Sequence, residues 1–197
     1  EVTSAVIRPV ITVTGIGKVK ENGLVSTSGV TAGMDIVLTK WAGLEGTSIL
    51  AKEKKEELSA RFTEDFILRA QRFDQMLSVI PEAAAAVKSG VKAMHDVTEG
   101  GIFGALWELA ESSGVGLEIE LKKIPLKQET VEICEFFGIN PYGLISSGAM
   151  LMASNDGSRL VMDLKKAGIA ACMIGKATEG NDRVLLNGEE RRFLEPP

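Results

Sequence analysis

The sequence predicts an α+β fold: a mixed, partly antiparallel sheet with helices packed on it. Three observations predict it. Strand–glycine turn–helix units occupy the middle of the chain, hairpin signals stand near its two ends, and apolar residues recur at helical spacing between these features. Counting them gives about seven or eight strands and four or five helices.

The elements follow in order. Val6 to Val13 is rich in β-branched residues, and Pro9 restricts it to an edge or a strand start. Gly15-Ile16-Gly17 bends the chain, and Lys18 to Val25 reads as a short strand broken by a hairpin turn at Asn22-Gly23. Gly29 to Gly33 is loop, and Met34 to Thr39 is an apolar strand interrupted by Asp35. A glycine turn and a helix come next, through Trp41, Gly43, Gly46 and Ser48. Lys52 to Glu57 is a dense charge run, read as a solvated helix face.

Glu64 to Ile80 carries the clearest helical pattern. Phe66, Ala70, Phe73, Leu77 and Ile80 form one stripe, opposite Arg69, Arg72, Asp74 and Gln75. Pro81 restarts the helix, which continues through Ala83 to Lys88 until Ser89-Gly90 stops it. Val91 to Met94 is a strand, and a glycine-rich bend leads to a helix over Ile102 to Ala110, closed by Ser112-Ser113-Gly114. Gly116 to Leu121 alternates strictly, Leu117, Ile119 and Leu121 against Glu118 and Glu120. Pro125 to Phe137 is a helix with Val131, Cys134 and Phe137 inward, and Asn140 to Gly143 is turn chemistry.

Leu144 to Gly148 leads into the apolar strand Ala149 to Ala153. Asn155-Asp156-Gly157 caps a helix that turns Leu160, Val161, Leu164 and Ala167 inward, and Ala170 to Gly175 is a strand. Arg183 to Leu186 and Glu190 to Phe193 form a hairpin around Asn187-Gly188, a type I′ signal.

Composition narrows the function classes. With 197 residues, 45% hydrophobic and 25% charged, the chain is an ordinary globular one able to bury a core. Its net charge of −5 is spread among interspersed acids and bases, without the basic stripe that a nucleic-acid surface needs. One Tyr, two Trp and seven Phe make no platform for stacking bases. Cys134 and Cys172 lie far apart within apolar segments, so they are expected as buried free thiols in a reducing cytoplasm. No run of 18 apolar residues and no signal-peptide pattern occurs, so no membrane segment is expected and the reading is cytoplasmic.

The chemistry concentrates in Ala93-Met94-His95-Asp96-Val97-Thr98-Glu99-Gly100-Gly101-Ile102-Phe103-Gly104. Amides at a helix start, with the positive end of the helix dipole, favour anions. A carboxylate there, such as Asp96, could hold a metal that itself holds a phosphate. The same spacing also reads as a capping box, Asp96 as N-cap with Glu99 reaching back. The turn at Gly43 and Gly46 is a second, weaker arrangement of this type, which on the residues alone reads rather as a plain βα loop. His95 beside Asp96 is either a base or a structural histidine.

The run from His95 to Ile102 resembles the D-x-T-x-G-G segment in the C-terminal domain of the aminoimidazole ribonucleotide synthetase superfamily. That superfamily includes selenophosphate synthetase, thiamine monophosphate kinase, formylglycinamide ribonucleotide amidotransferase and the hydrogenase maturation factor HypE. Gly33 to Lys40 with its Gly43/Gly46 turn, Leu144 to Ala149, and the tail Ile174 to Gly180 extend the resemblance over roughly residues 8 to 193.

The resemblance implies a two-domain enzyme. Residues 1–17 would be the terminal strand of an N-terminal ATP-binding domain lying outside this chain, which carries most of the ATP and Mg2+ site and forms a homodimer. Residues 18–197 would be the C-terminal domain that closes over it. The implied chemistry is phosphoryl transfer from ATP to an amide or carbonyl oxygen, or a similar nucleophile, of a small-molecule substrate. By resemblance, Asp96 matches a metal-holding aspartate. Thr98, Gly100 and Gly101 match a phosphate- or substrate-facing turn, which Gly43 and Gly46 would join. Ser146, Ser147 and Gly148 match a loop near the cleft, although turn hydrogen bonding alone would also account for the serines.

The departures point away from some members. The purine-pathway synthetase tends to carry His where Asp96 stands. The reactive Cys or selenocysteine of selenophosphate synthetase would precede this chain. HypE ends in a Cys that accepts the carbamoyl group, whereas here the final residues run Phe193 to Pro197. The resemblance is therefore to a HypE-like protein of unassigned substrate. The alternative is a non-catalytic maturation or scaffold domain that binds a protein partner.

Overall fold

The computed structural model describes residues 11–20 and 23–196. Seven strands form one sheet in the order β2-β4-β1-β5-β3-β6-β7: β1 (Asp35–Thr39), β2 (Ala93–Asp96), β3 (Gly116–Glu120), β4 (Met150–Ser154), β5 (Ala171–Thr178), β6 (Arg183–Asn187) and β7 (Glu190–Phe193). Every neighbouring pair is antiparallel except β3 and β6. The predicted α+β class, with a partly antiparallel sheet and helices on it, is the fold observed.

Strand β1 explains the layering. Ile36 and Leu38 point to one face and Val37 to the other, and all three are fully buried. On the first face lies α5 (Gly101–Ser113), whose Ile102, Ala105, Leu106 and Leu109 pack on Ile36, Leu38, Leu117, Ile119 and Leu151. On the second lie α4 (Ile80–Lys88) and α7 (Gly157–Lys166), whose Ala86, Leu160 and Leu164 meet Val37, Met150 and Met152. Each fully buried Leu or Ile contributes about 1.5–3 kcal/mol through burial. A third cluster joins α1 (Leu44–Glu53), α2 (Lys55–Leu58), α3 (Glu64–Gln71) and α6 (Gln128–Phe137) around Ala51, Leu58, Ile67, Ala70 and Ile133.

Several sequence expectations are corrected. The single helix over 64–80 is instead α3, a 3₁₀ turn over Arg72–Met76, a bend, and then α4. Lys40 Nζ donates to the carbonyls of Met76 and Ser78 at 2.7 Å, taking acceptors that a continuous helix would need. Pro81 further supplies no N–H for Leu77. The buried stripe there is Ile67, Ala70 and Phe73, while Ile80 is exposed. Helix α6 starts at Gln128 rather than Pro125, and buries Thr130, Ile133 and Cys134 while Val131 is exposed. In α7, Leu160 and Leu164 are buried but Ala167 is not.

Within 18–25, the described residues form no strand, having no partner strand to pair with. The expected strand Val6–Val13 falls mainly outside the described residues, and 11–13 has no regular structure. The β6–β7 turn is Gly188-Glu189, with a positive φ at Gly188 alone, the sign pattern of type II′ rather than I′.

One crossing matters for assembly. The 179–182 link carries the chain from β5 to β6 over the start of β3, which lies between those two strands. Leu117 N donates to Asp182 O at 2.8 Å. A Cβ on Gly116 would fall 2.4 Å from Thr178 Oγ1 and 2.7 Å from Asp182 O, so only glycine fits beneath the link.

Candidate functional site

β1 and β2 both run antiparallel to β4, so they leave the sheet at the edge where β4 enters. This brings the turns after β1, after β2 and before β4 together. The first passes through Thr39, Lys40, Trp41 and Gly43. Thr39 is fully buried, and its Oγ1 accepts from Met150 N at 3.0 Å. Lys40 has a φ of 53°, the only positive value for a non-glycine among the described residues. Its Nζ also meets Glu82 Oε1 at 2.8 Å, and both side chains are largely buried.

Backbone bonds lock the three turns. Gly43 N donates to Ser146 Oγ at 2.7 Å, and that hydroxyl donates to Leu144 O at 2.6 Å. Gly46 N donates to Ile145 O at 3.0 Å, and Ser146 N donates to Thr98 O at 3.3 Å. Val97 N donates to Ala149 O at 3.1 Å. The glycines let these backbones touch: a Cβ on Gly46 would lie 2.4 Å from Leu144 Cγ, and one on Gly101 would lie 2.5 Å from Tyr142 O.

The nine residues singled out by sequence therefore gather at one edge, with different exposures. Asp96 and Gly100 are exposed, Thr98 and Ser147 half-buried, and Gly43, Gly46, Gly101, Ser146 and Gly148 buried. Ser146 spends its hydroxyl within the turn cluster. The N-cap of α5 is Gly100, in the left-handed region, so the capping-box reading of Asp96 and Glu99 does not hold. The amides of Gly101 and Phe103 donate to Thr98 O and Tyr142 O, so these two face protein carbonyls rather than an open anion site.

His95 is held on both sides, Nε2 to Glu108 Oε2 at 2.8 Å and Nδ1 to Thr27 Oγ1 at 3.2 Å, which is the structural alternative. Both cysteines are free thiols as expected, but only Cys134 is buried, Cys172 being half-buried. Burial pushes the Cys134 thiol up to about 11 and raises that of Cys172, so neither is poised as a nucleophile.

No group of three or more His, Cys, Asp or Glu that could hold a metal occurs among the described residues. Asp96 offers one carboxylate, which fits a single ligand to a magnesium ion held mainly by other groups and does not build a site alone.

Sequence reasoning missed a groove of about 580 Å³ beside Gly100, lined by Phe103, Tyr142, Asn187, Arg192 and Phe193. Phe103 and Tyr142 stack there with ring centroids 5.3 Å apart, and burial raises the tyrosine's phenol. The groove joins α5 to the β6–β7 hairpin, elements far apart in sequence, and the lone tyrosine was its only signal. No helix among the described residues is long and apolar enough to cross a membrane.

The chain is 29% identical over 173 residues to carbamoyl dehydratase HypE of Cupriavidus necator, covering 86% of this chain and 47% of that one. The fold matches a crystal structure of Escherichia coli HypE with a TM-score of 0.75 at 23% identity, covering 92% of this chain and 55% of that one. It also matches a hydrogenase maturation protein HypE in complex with ATP, with a TM-score of 0.66 at 17% identity, covering 88% and 53%. The chain thus spans about half the length of the relatives it matches. Residues 31–186 match the family described as AIR synthase related protein, C-terminal domain, and the chain belongs to that family.

Proposed function

We propose that this chain is the C-terminal half of an ATP-dependent enzyme that transfers a phosphoryl group to an amide or carbonyl oxygen, or a similar nucleophile, of a small substrate. The observation that carries this reading is the gathering of three interlocked turns at one sheet edge with the Asp96 carboxylate exposed beside them. Phosphoryl transfer demands positioning and charge neutralisation more than covalent chemistry, and a rigid turn cluster with an open carboxylate suits that need. The ATP complex of a HypE protein of this fold supports nucleotide use.

In this reading Asp96 would help to hold Mg2+, which would neutralise phosphate charge, and Thr98, Gly100 and Ser147 would line the cleft. The buried Gly43, Gly46, Gly101, Ser146 and Gly148 hold the turns in place. Residues 1–17 would join this chain to a preceding ATP-binding domain through which the whole protein would dimerise. The bare apolar side chains Ile11, Val13 and Ile16, 84–96% exposed here, support a partner for that segment.

The test uses the protein carrying this chain together with its preceding domain. ATP with Mg2+ raises its melting temperature by several degrees and is slowly hydrolysed, because a ligand binding only the native state stabilises it. Asp96→Ala removes most of the magnesium-dependent part of the shift. A melting temperature indifferent to nucleotide overturns the reading and favours a scaffold role.

A further inference from the structure

A second charged feature adjoins the turn cluster. A cleft of about 340 Å³ opens between the 69–76 segment and the start of α6, lined by Arg69, Arg72, Phe73, Met76, Lys127 and Glu129. That volume is about ten times the share of one water. Phe73, nearly fully buried, gives it an apolar wall.

The acids of the neighbourhood are already engaged. Glu129 pairs with Arg69 Nε at 2.9 Å, Asp65 pairs with Arg69 Nη1, and Asp74 pairs with Lys52 at 2.6 Å. Neither Arg72 nor Lys127 forms an ion pair among the described residues. Lys127 Nζ instead sits 3.5 Å from the centre of the Trp41 ring, which fixes the ammonium without neutralising it. Two cations without an ion-pair partner among the described residues thus line one small cleft, in a chain of net charge −5. The cleft also touches the candidate site. Met76 O accepts from Lys40 Nζ, and lies 2.7 Å from where a Cβ on Gly148 would stand.

We infer that Arg72 and Lys127 form a binding subsite for a phosphate group, a phosphate monoester or diphosphate, presented to the 144–148 turn. Arginine matches phosphate geometry with paired N–H donors, and lysine adds a compact point charge. The inference rests on the phosphoryl-transfer reading only for the origin of the phosphate. Binding itself is tested on the chain alone.

The experiment is titration of the chain with inorganic pyrophosphate at low salt, followed by amide chemical shifts or calorimetry. Saturable binding is expected, with shifts centred on residues 69–76 and 127–129. Arg72→Gln and Lys127→Gln each weaken it about tenfold or more while the variants still unfold cooperatively, and Lys92→Gln, outside the cleft, leaves it unchanged. Raising the salt weakens binding. A parallel arm uses ATP and a simple phosphate monoester: tighter ATP binding, lost in Arg72→Gln, assigns the subsite to the nucleotide, and monoester binding alone assigns it to the substrate. Absence of pyrophosphate binding, or equal loss in Lys92→Gln, overturns the inference. Neither result bears on the nucleotide-dependent melting shift of the whole protein.

Discussion

Lys40 does more for this fold than its place in a turn suggests. Its ammonium binds two carbonyls of the 72–78 connection and the Glu82 carboxylate, while its backbone occupies the left-handed region. Removing one partner of a buried pair leaves an uncompensated charge, which costs about 3–5 kcal/mol. Lys40→Met should lower stability by that order in urea denaturation, and adding Glu82→Leu should recover most of the loss. Sequence reading placed Lys40 in the right turn but assigned it no partner, because Glu82 lies 42 positions away in a separate helix. Asp96 was legible, since a carboxylate at a strand end before glycines is a local signal. Ser146 was half legible: its loop was found, and its burial against Gly43 was not.

Among the elements, the glycine turns separate two kinds of constraint. Gly101 and Gly138 have nearly equal φ, 62° and 66°, yet a Cβ on Gly101 would strike Tyr142 O at 2.5 Å while one on Gly138 meets nothing. Gly138→Ala should therefore cost about 1–2 kcal/mol, the backbone penalty alone. Gly101→Ala adds a backbone clash at the heart of the turn cluster and should cost clearly more, about 2–4 kcal/mol. Equal losses by chemical denaturation would show that the turn cluster yields easily. Strands with local alternation, such as Gly116–Glu120, were readable because period two is a property of the segment itself. The break between α3 and α4 was not, because it depends on Lys40 reaching over from the turn after β1.

For the molecule as a whole, stability should fall from the sheet centre outward. β1 is paired on both sides and buried on both faces, whereas every residue of β7 is exposed and β7 pairs only with β6. Amide hydrogen exchange should be slowest in β1, β4 and β5 and fastest in β7 and residues 11–20. Comparable protection of β7 would reveal an additional strand or partner along that edge. The α+β class was legible because hairpins and strand–helix units were each locally signalled. The strand order was not, because pairing of β3 with both β5 and β6 is a choice among distant segments.

That order has a kinetic side. Two successive strands straddle a third, and the short strap joining them passes across its leading end, where Gly116 leaves just enough clearance. The middle strand must already be seated when the strap closes, or else thread sideways beneath it. The late chain therefore acts as a latch on the early one, and refolding ought to wait for its arrival.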